Sequence, residues 1–299
     1  MRAFGHFVPV FCVFCVAVGL VGAQGPAPDA AAGVLAAARE ALGGEKKLTA
    51  VKTVVATGRT RQVRGDSLVP IEFEIAIELP DKYVRKDEIP AQESDPTTVG
   101  FNRDELLQFP LPTLATMPAR AGGPPTPTAD QLAAAREARL GTVKQDFARL
   151  TLGMFAASFT GYPLTFSYVG KAEAPQGKAD VLDVKGPAGP GGFAARLFIN
   201  ADTHLPIMVT WQAPPPSPRG SPTASAGQPP SPPGSPAASA PKPPAPESRL
   251  YYGDYREASG MQLPFRLRRA VGSDTVEETT FDGFKINAKI DPKKFEVRK

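Results

Sequence analysis

Beyond residue 23 the chain carries one histidine, His204, and no cysteine, so neither a histidine-based zinc or iron site nor a thiolate site has the ligands it needs. A Ser-His-Asp arrangement would require His204 to be held in a pocket beside an activated serine. There is no Gly-x-Ser-x-Gly elbow, and His204 stands in Asn200-Ala-Asp-Thr-His-Leu-Pro206, whose Asn, Asp and Pro favour a chain reversal. The glycines of Gly186-Pro-Ala-Gly-Pro-Gly-Gly192 lack the Lys-Ser/Thr of a phosphate loop and read as a flexible loop between two strands. Two carboxylates at suitable separation would allow acid-base chemistry. Glu277 and Glu278, however, point to opposite faces of a strand, and Glu72 and Glu74 lie on a face turned to water. The residue types therefore predict no enzyme, no metal and no cofactor. What the sequence offers instead is apolar surface.

That surface is laid out by strands of period two. In Phe193 to Ile199 the residues Phe193, Ala195, Leu197 and Ile199 share one face while Ala194, Arg196 and Phe198 share the other, and Ile207, Val209 and Trp211 repeat the pattern after the reversal. Phe193 to Gln212 is thus predicted to be a hairpin, preceded by a strand from Ala179. Met261, Leu263, Phe265 and Leu267 alternate with polar or small positions, and Glu277 to Phe281 follows as a weaker strand. In the first half of the chain, Val51 to Thr60 reads as a strand. Ile71 to Leu79 is cleaner, with Ile71, Phe73, Ile75, Ile77 and Leu79 inward and Glu72, Glu74 and Glu78 outward. Pro80-Asp81 then turns the chain into Lys82 to Glu88, and Val99 to Asn102 adds a short strand.

Helices must cover this sheet. Asp29 to Leu42 places Val34, Leu35, Ala38 and Leu42 on one side, with Asp29 as the cap and Gly43-Gly44 as the stop. Thr128-Ala-Asp-Gln131 has capping-box spacing, Ala129 to Leu140 is rich in helix formers, and Gly141 is expected to interrupt it before a second helix. In that second helix Val143, Phe147, Leu150 and Met154 form one apolar stripe. The pattern predicts an α+β fold of about eight or more strands and three helices, a curved antiparallel sheet wrapped on helices.

Four segments resemble the closing strands of LolA-like outer-membrane lipoprotein-sorting proteins. They are Ala179-Asp-Val-Leu-Asp-Val, Arg196-Leu-Phe-Ile-Asn-Ala-Asp-Thr-His-Leu-Pro206, Asp254-Tyr-Arg-Glu-Ala-Ser-Gly260 with Leu263-Pro264, and Phe284-Lys-Ile-Asn287 before Ile290-Asp291. The resemblance covers about the last third of the chain well and rests on spacing of Gly, Pro, Asp and apolar positions. It implies an open, incomplete antiparallel β-barrel with helices over its mouth, holding acyl chains of a lipid or lipoprotein between the two layers. The candidate trough residues are then Phe73, Ile75 and Ile77, Leu197, Val209 and Trp211, Phe265, and Phe147, Leu150 and Met154 from the helix. A non-enzymatic envelope interaction or sensor module, with the trough filled by its own side chains, is the alternative.

The amino terminus sets the expected compartment. Arg2, an apolar run from Phe7 to Val21 and the small residues Gly22-Ala23 make the pattern of a secretory signal peptide cut after Ala23, and the run is short for a membrane span. Cys12 and Cys15 both fall within it, directly after Phe11 and Phe14, so neither has the setting of a lipidated cysteine. A periplasmic or secreted chain follows. Ala213 to Pro246 is almost wholly Pro, Ala, Ser and Gly, a composition unable to offset chain entropy, and is expected to be a disordered insertion between two strands of a single domain spanning 24–299. Met117 to Pro127 is a shorter segment of the same kind. A net charge of +4 spread over 299 residues, with no clustered basic motif, argues against nucleic acid as a partner. A monomer is expected, with acyl chains and an envelope protein as its partners.

Overall fold

The computed structural model describes residues 28–90, 92, 95–110, 128–175, 177–188, 192–212 and 246–296. The helices α1 (Pro28–Ala41) and α2 (Glu45–Ala50) lead into five strands, β1 (Thr53–Arg64), β2 (Ser67–Glu78), β3 (Lys82–Glu88), β4 (Thr97–Asn102) and β5 (Glu105–Phe109). The long helix α3 (Ala129–Phe155) follows. Seven further strands complete the sheet: β6 (Thr165–Ala174), β7 (Gly177–Lys185), β8 (Ala194–Asn200), β9 (Pro206–Gln212), β10 (Glu247–Ala258), β11 (Met261–Val271) and β12 (Asp274–Ile286).

All twelve strands belong to one antiparallel sheet in the order β5-β4-β3-β2-β1-β12-β11-β10-β9-β8-β7-β6. Every neighbouring pair except β1 and β12 is consecutive in the chain, so two meanders are sewn together by a single seam between strands distant in sequence. That seam runs from Val54 opposite Ile286 to Gln62 opposite Glu277, with a bulge at Thr57/Gly58. β5 and β6 remain as the two edges. The sheet is therefore open, an incomplete barrel in an α+β fold, as the resemblance implies.

The inner face carries the main core. Ile71, Phe73, Ile75 and Ile77 of β2 are all buried on it, as are Phe193, Ala195, Leu197 and Ile199, and Ile207, Val209 and Trp211. A smaller cluster sits on the outer face, where Ala76, Val84 and Leu107 are covered by Phe295 from a final 3-10 turn, Pro292–Phe295. The reversal at Asn200 forms through the side chain: Asn200 Oδ1 accepts from the backbone N–H groups of Asp202 at 2.9 Å and Thr203 at 2.8 Å. His204 is exposed in that turn.

α3 differs from expectation. Its capping box is present, with Thr128 accepting from the Gln131 N–H and Gln131 returning the bond, but Gly141 does not break the helix. One uninterrupted helix runs from Ala129 to Phe155 and ends at Ala156 in the left-handed conformation. Glycine costs an exposed helix only about 1 kcal/mol relative to alanine, and the flanking Ala, Arg and Leu are strong helix formers, so the helix carries it through. α1 starts at Pro28, which puts Asp29 in the first turn rather than at the cap. Gly43 and Gly44 end it with φ of 134° and 89°. α2, β5 and β6 are additional to the elements that the sequence pattern predicts. The expected signal peptide, Met117 to Pro127 and the expected insertion up to Ala245 lie outside the described residues. Among the described residues no helix is long and apolar enough to cross a membrane.

Candidate binding trough

Only the second half of α3 is docked. Residues 131–139 are exposed, whereas Val143, Phe147, Leu150 and Met154 are buried against the inner face together with Leu152 and Phe155. Two tyrosines of β10 fix this half in place. Tyr252 Oη donates to the carbonyl of Arg149, and Tyr255 Oη lies 2.9 Å from the carbonyl oxygens of both Gly153 and Pro206. Gly153 permits the approach, since a Cβ there would stand 2.4 Å from the Tyr252 ring. Burial raises the hydroxyl pKa of Tyr252 far above the usual value, so its proton stays available to donate.

Between this half-helix, the inner ends of the strands and the inner face lies a cavity of about 360 Å³. Its apolar walls include Ile71, Ile75, Val143, Leu150, Leu267 and Phe281. Of the candidate trough residues, Ile75, Leu150 and Trp211 line it. The other seven are buried within the main core: Phe73 packs edge-on to Phe281 at 5.4 Å, and Phe147 packs against Tyr83, Phe101 and Phe159 at 5.8, 5.3 and 6.2 Å. Ile77, Met154, Leu197, Val209 and Phe265 belong to the same core.

The cavity is also charged, which the apolar pattern alone does not predict. Five arginines and three carboxylates line it, a surplus of two positive charges. Arg85 is held by Asp87 at 2.7 Å and by Thr60 Oγ1 at 3.2 Å, with its guanidinium over the Phe73 ring. Burial alone would lower its pKa, but Asp87 and its other neighbours outweigh this and the net shift is upward. Arg149, at 6 % exposure, bonds Asp146 at 2.9 Å and Gln145 at 3.0 Å and stacks on Trp211 at 4.1 Å, yet its Nε is buried with no hydrogen-bond partner. Burial, joined by repulsion from Arg269, lowers its pKa despite the pull of Asp146.

A signal for these groups exists in the alternation of the strands. Tyr83, Arg85 and Asp87 share one face of β3, Leu267 and Arg269 one face of β11, and Glu277, Thr279 and Phe281 one face of β12. The buried Tyr83, Leu267 and Phe281 show that this is the inner face. Charged residues continuing an inward apolar row are the mark that periodicity makes readable.

No family model matches the chain, and no curated protein matches its sequence. Solved structures do match it in fold. A LolA superfamily protein from Nitrosomonas europaea superposes with a TM-score of 0.50 at 13% identity, over 89% of this chain and 97% of that one. A domain described as an outer membrane lipoprotein-sorting protein, from Vibrio parahaemolyticus, gives 0.47 at 8% identity over 90% and 97%. A DUF1329 family protein from Desulfovibrio piger gives 0.45 at 8% over 89% and 97%. The fold is LolA-like, and at these identities the likeness speaks to fold alone.

Proposed function

We propose that this protein is a non-enzymatic carrier that holds an acyl chain of a lipid or lipoprotein between α3 and the inner face of the sheet. The observation that carries the proposal is the cavity of about 360 Å³ beneath α3, with Ile71, Ile75, Val143, Leu150, Leu267 and Phe281 forming its apolar side, on a sheet left open at both edges. Its size falls within the range of about 300–1,000 Å³ common for ligand pockets. Each methylene moved from water into such a space contributes about 0.8 kcal/mol, so a chain can be held without many polar contacts. The test is the mass spectrum of lipids extracted from the natively purified protein, paired with titration of a fluorescent fatty acid. A co-purifying acyl lipid supports the carrier; a clean protein that also ignores the probe overturns it.

One observation favours the second reading, an envelope interaction or sensor module. Seven of the candidate trough residues pack into the core rather than facing the cavity, so much of the interior is already filled by the protein's own side chains. The same lipid extraction separates the two.

On either reading the protein works outside the cytoplasm, as a monomer and a single domain after removal of residues 1–23, with periplasm or secretion as its destination. Intact-mass analysis of the exported protein is expected to begin at Gln24, and retention of Met1 would refute the cleavage.

A further inference from the structure

The inner face of the sheet changes character along the strands. β1 runs inward from Val54 and Ala56 through Gly58 to Thr60, Gln62 and Arg64, and β11 from Leu263, Phe265 and Leu267 to Arg269. The strand registers bring the polar ends together. Arg269 stands opposite Glu277, and Glu277 opposite Gln62, making a row across β11, β12 and β1; the next row, Leu267, Thr279 and Thr60, is already half apolar. The trough is thus amphiphilic along its length.

Within the polar end the charges are unevenly matched. Arg85 has Asp87 and Arg149 has Asp146, while Glu277 is 3.4 Å from the amide nitrogen of Gln62. The Arg269 side chain has no hydrogen bond and no ion pair among the described residues, and its guanidinium lies 5.6 Å from the centre of the Trp211 ring on which Arg149 also stacks. Two like charges share one indole, one of them 6 % exposed with an orphan Nε. Repulsion between them is relieved by an anion placed between, and guanidinium groups bind carboxylate and phosphate oxygens through paired, charge-assisted hydrogen bonds.

We propose that Arg269 and Arg149, both over the Trp211 ring at the polar end of the cavity, form a subsite for an oxyanion, the phosphate or carboxylate headgroup of an amphiphile whose tail lies along the apolar rows. This rests on the carrier reading for the tail, but the anion site has its own readout. An amphiphile seated this way places its head among the arginines and its chain against Leu267, Phe281 and Ile75, the order in which the inner face itself is arranged.

The test compares a fluorescent fatty acid with its methyl ester on the full exported protein, with inorganic phosphate as a separate ligand. Wild type is expected to bind the acid about tenfold or more tightly than the ester at low salt, one charge-assisted contact being sufficient for that ratio. Arg269→Gln should bring the ratio close to one with ester affinity unchanged, whereas Arg266→Gln, exposed on the outer face and paired with Glu278, should leave it intact. Equal binding of acid and ester by wild type, a comparison that needs no variant, overturns the subsite and spares the carrier. If neither probe binds but phosphate raises the melting temperature of wild type and not of Arg269→Gln, the oxyanion site stands for a free anion and the carrier falls. Absence of all three effects overturns both.

Discussion

Phe147 and Leu150 are adjacent members of one helical stripe, yet they do different things. Phe147 is enclosed by three other rings and does not face the cavity, so Phe147→Ala is expected to cost about 3–5 kcal/mol in urea unfolding and to leave probe affinity per folded molecule little changed. Leu150 lines the cavity, where neighbouring atoms are already sparse. Leu150→Ala should cost nearer the lower end of the range for buried leucines, about 2 kcal/mol, and change affinity for an acyl probe. Tyr83 and Tyr252 permit a pH prediction. Both hydroxyls have pKa values raised by burial, so the folded state holds protons that the unfolded chain begins to release near the ordinary tyrosine value of about 10. The stability from keeping them neutral is complete below that pH and is lost progressively above it. Tyrosinate absorbance from these two rings should therefore appear together with loss of tertiary structure; their ionisation in a fully folded protein would contradict the burial argument. Period places the apolar lining residues on the inward face but does not separate them from the inward residues that pack into the core. The arginines are harder to read because a charge ordinarily faces water, and only its place in an inward row, as with Arg269 two residues after Leu267, shows otherwise.

At the level of elements, what could be read was the strand with one buried and one wet face. β2 falls close to its expected position because Ile and Phe alternate there with Glu, and the β8–β9 hairpin does so because Asn200 and Pro206 mark the reversal between its two apolar runs. β6 escaped notice for a physical reason: it is an edge strand, alternately exposed and half-buried along its whole length, so its contrast between faces is weak. α2 spans only six residues, too short for a helical period to declare itself. Gly141 does not stop α3 because no capping geometry accompanies it; the left-handed cap is at Ala156. The two glycines of α3 now make a paired prediction. No atom lies within 4 Å of a Cβ built at Gly141, so Gly141→Ala should stabilise by about 0.5–1 kcal/mol through helix propensity. Gly153→Ala gains the same propensity but drives a methyl group into the Tyr252 ring and should destabilise by about 1–3 kcal/mol, the usual cost of overpacking. Thermal unfolding of the two variants must shift in opposite directions if α3 is one helix held by Tyr252.

For the molecule as a whole, the topology decides what can be inserted or removed. The sheet is two meanders joined by the β1–β12 seam, so nearly all of its pairing is between strands adjacent in the chain. β9 and β10 are such a pair: Gln212 stands opposite Glu247 and Trp211 opposite Ser248. The strand ends to be joined are thus already side by side, at the spacing that a two-residue turn can bridge. Whatever the chain does from Ala213 to Pro246, the register of the hairpin does not depend on its length. Loop-closure entropy grows by only about 0.6 kcal/mol for each doubling of length, which is how a sheet tolerates so long an excursion. Replacing 213–246 by Asn-Gly is therefore expected to leave the melting temperature unchanged or slightly higher, and to leave fatty-acid binding as it was, because Trp211 stays fixed between β8 and β10. A fall of many degrees would mean that the segment packs on the sheet and belongs to the fold. Unchanged stability with altered binding would instead place it at the mouth of the trough, where Trp211 is its nearest lining residue in sequence.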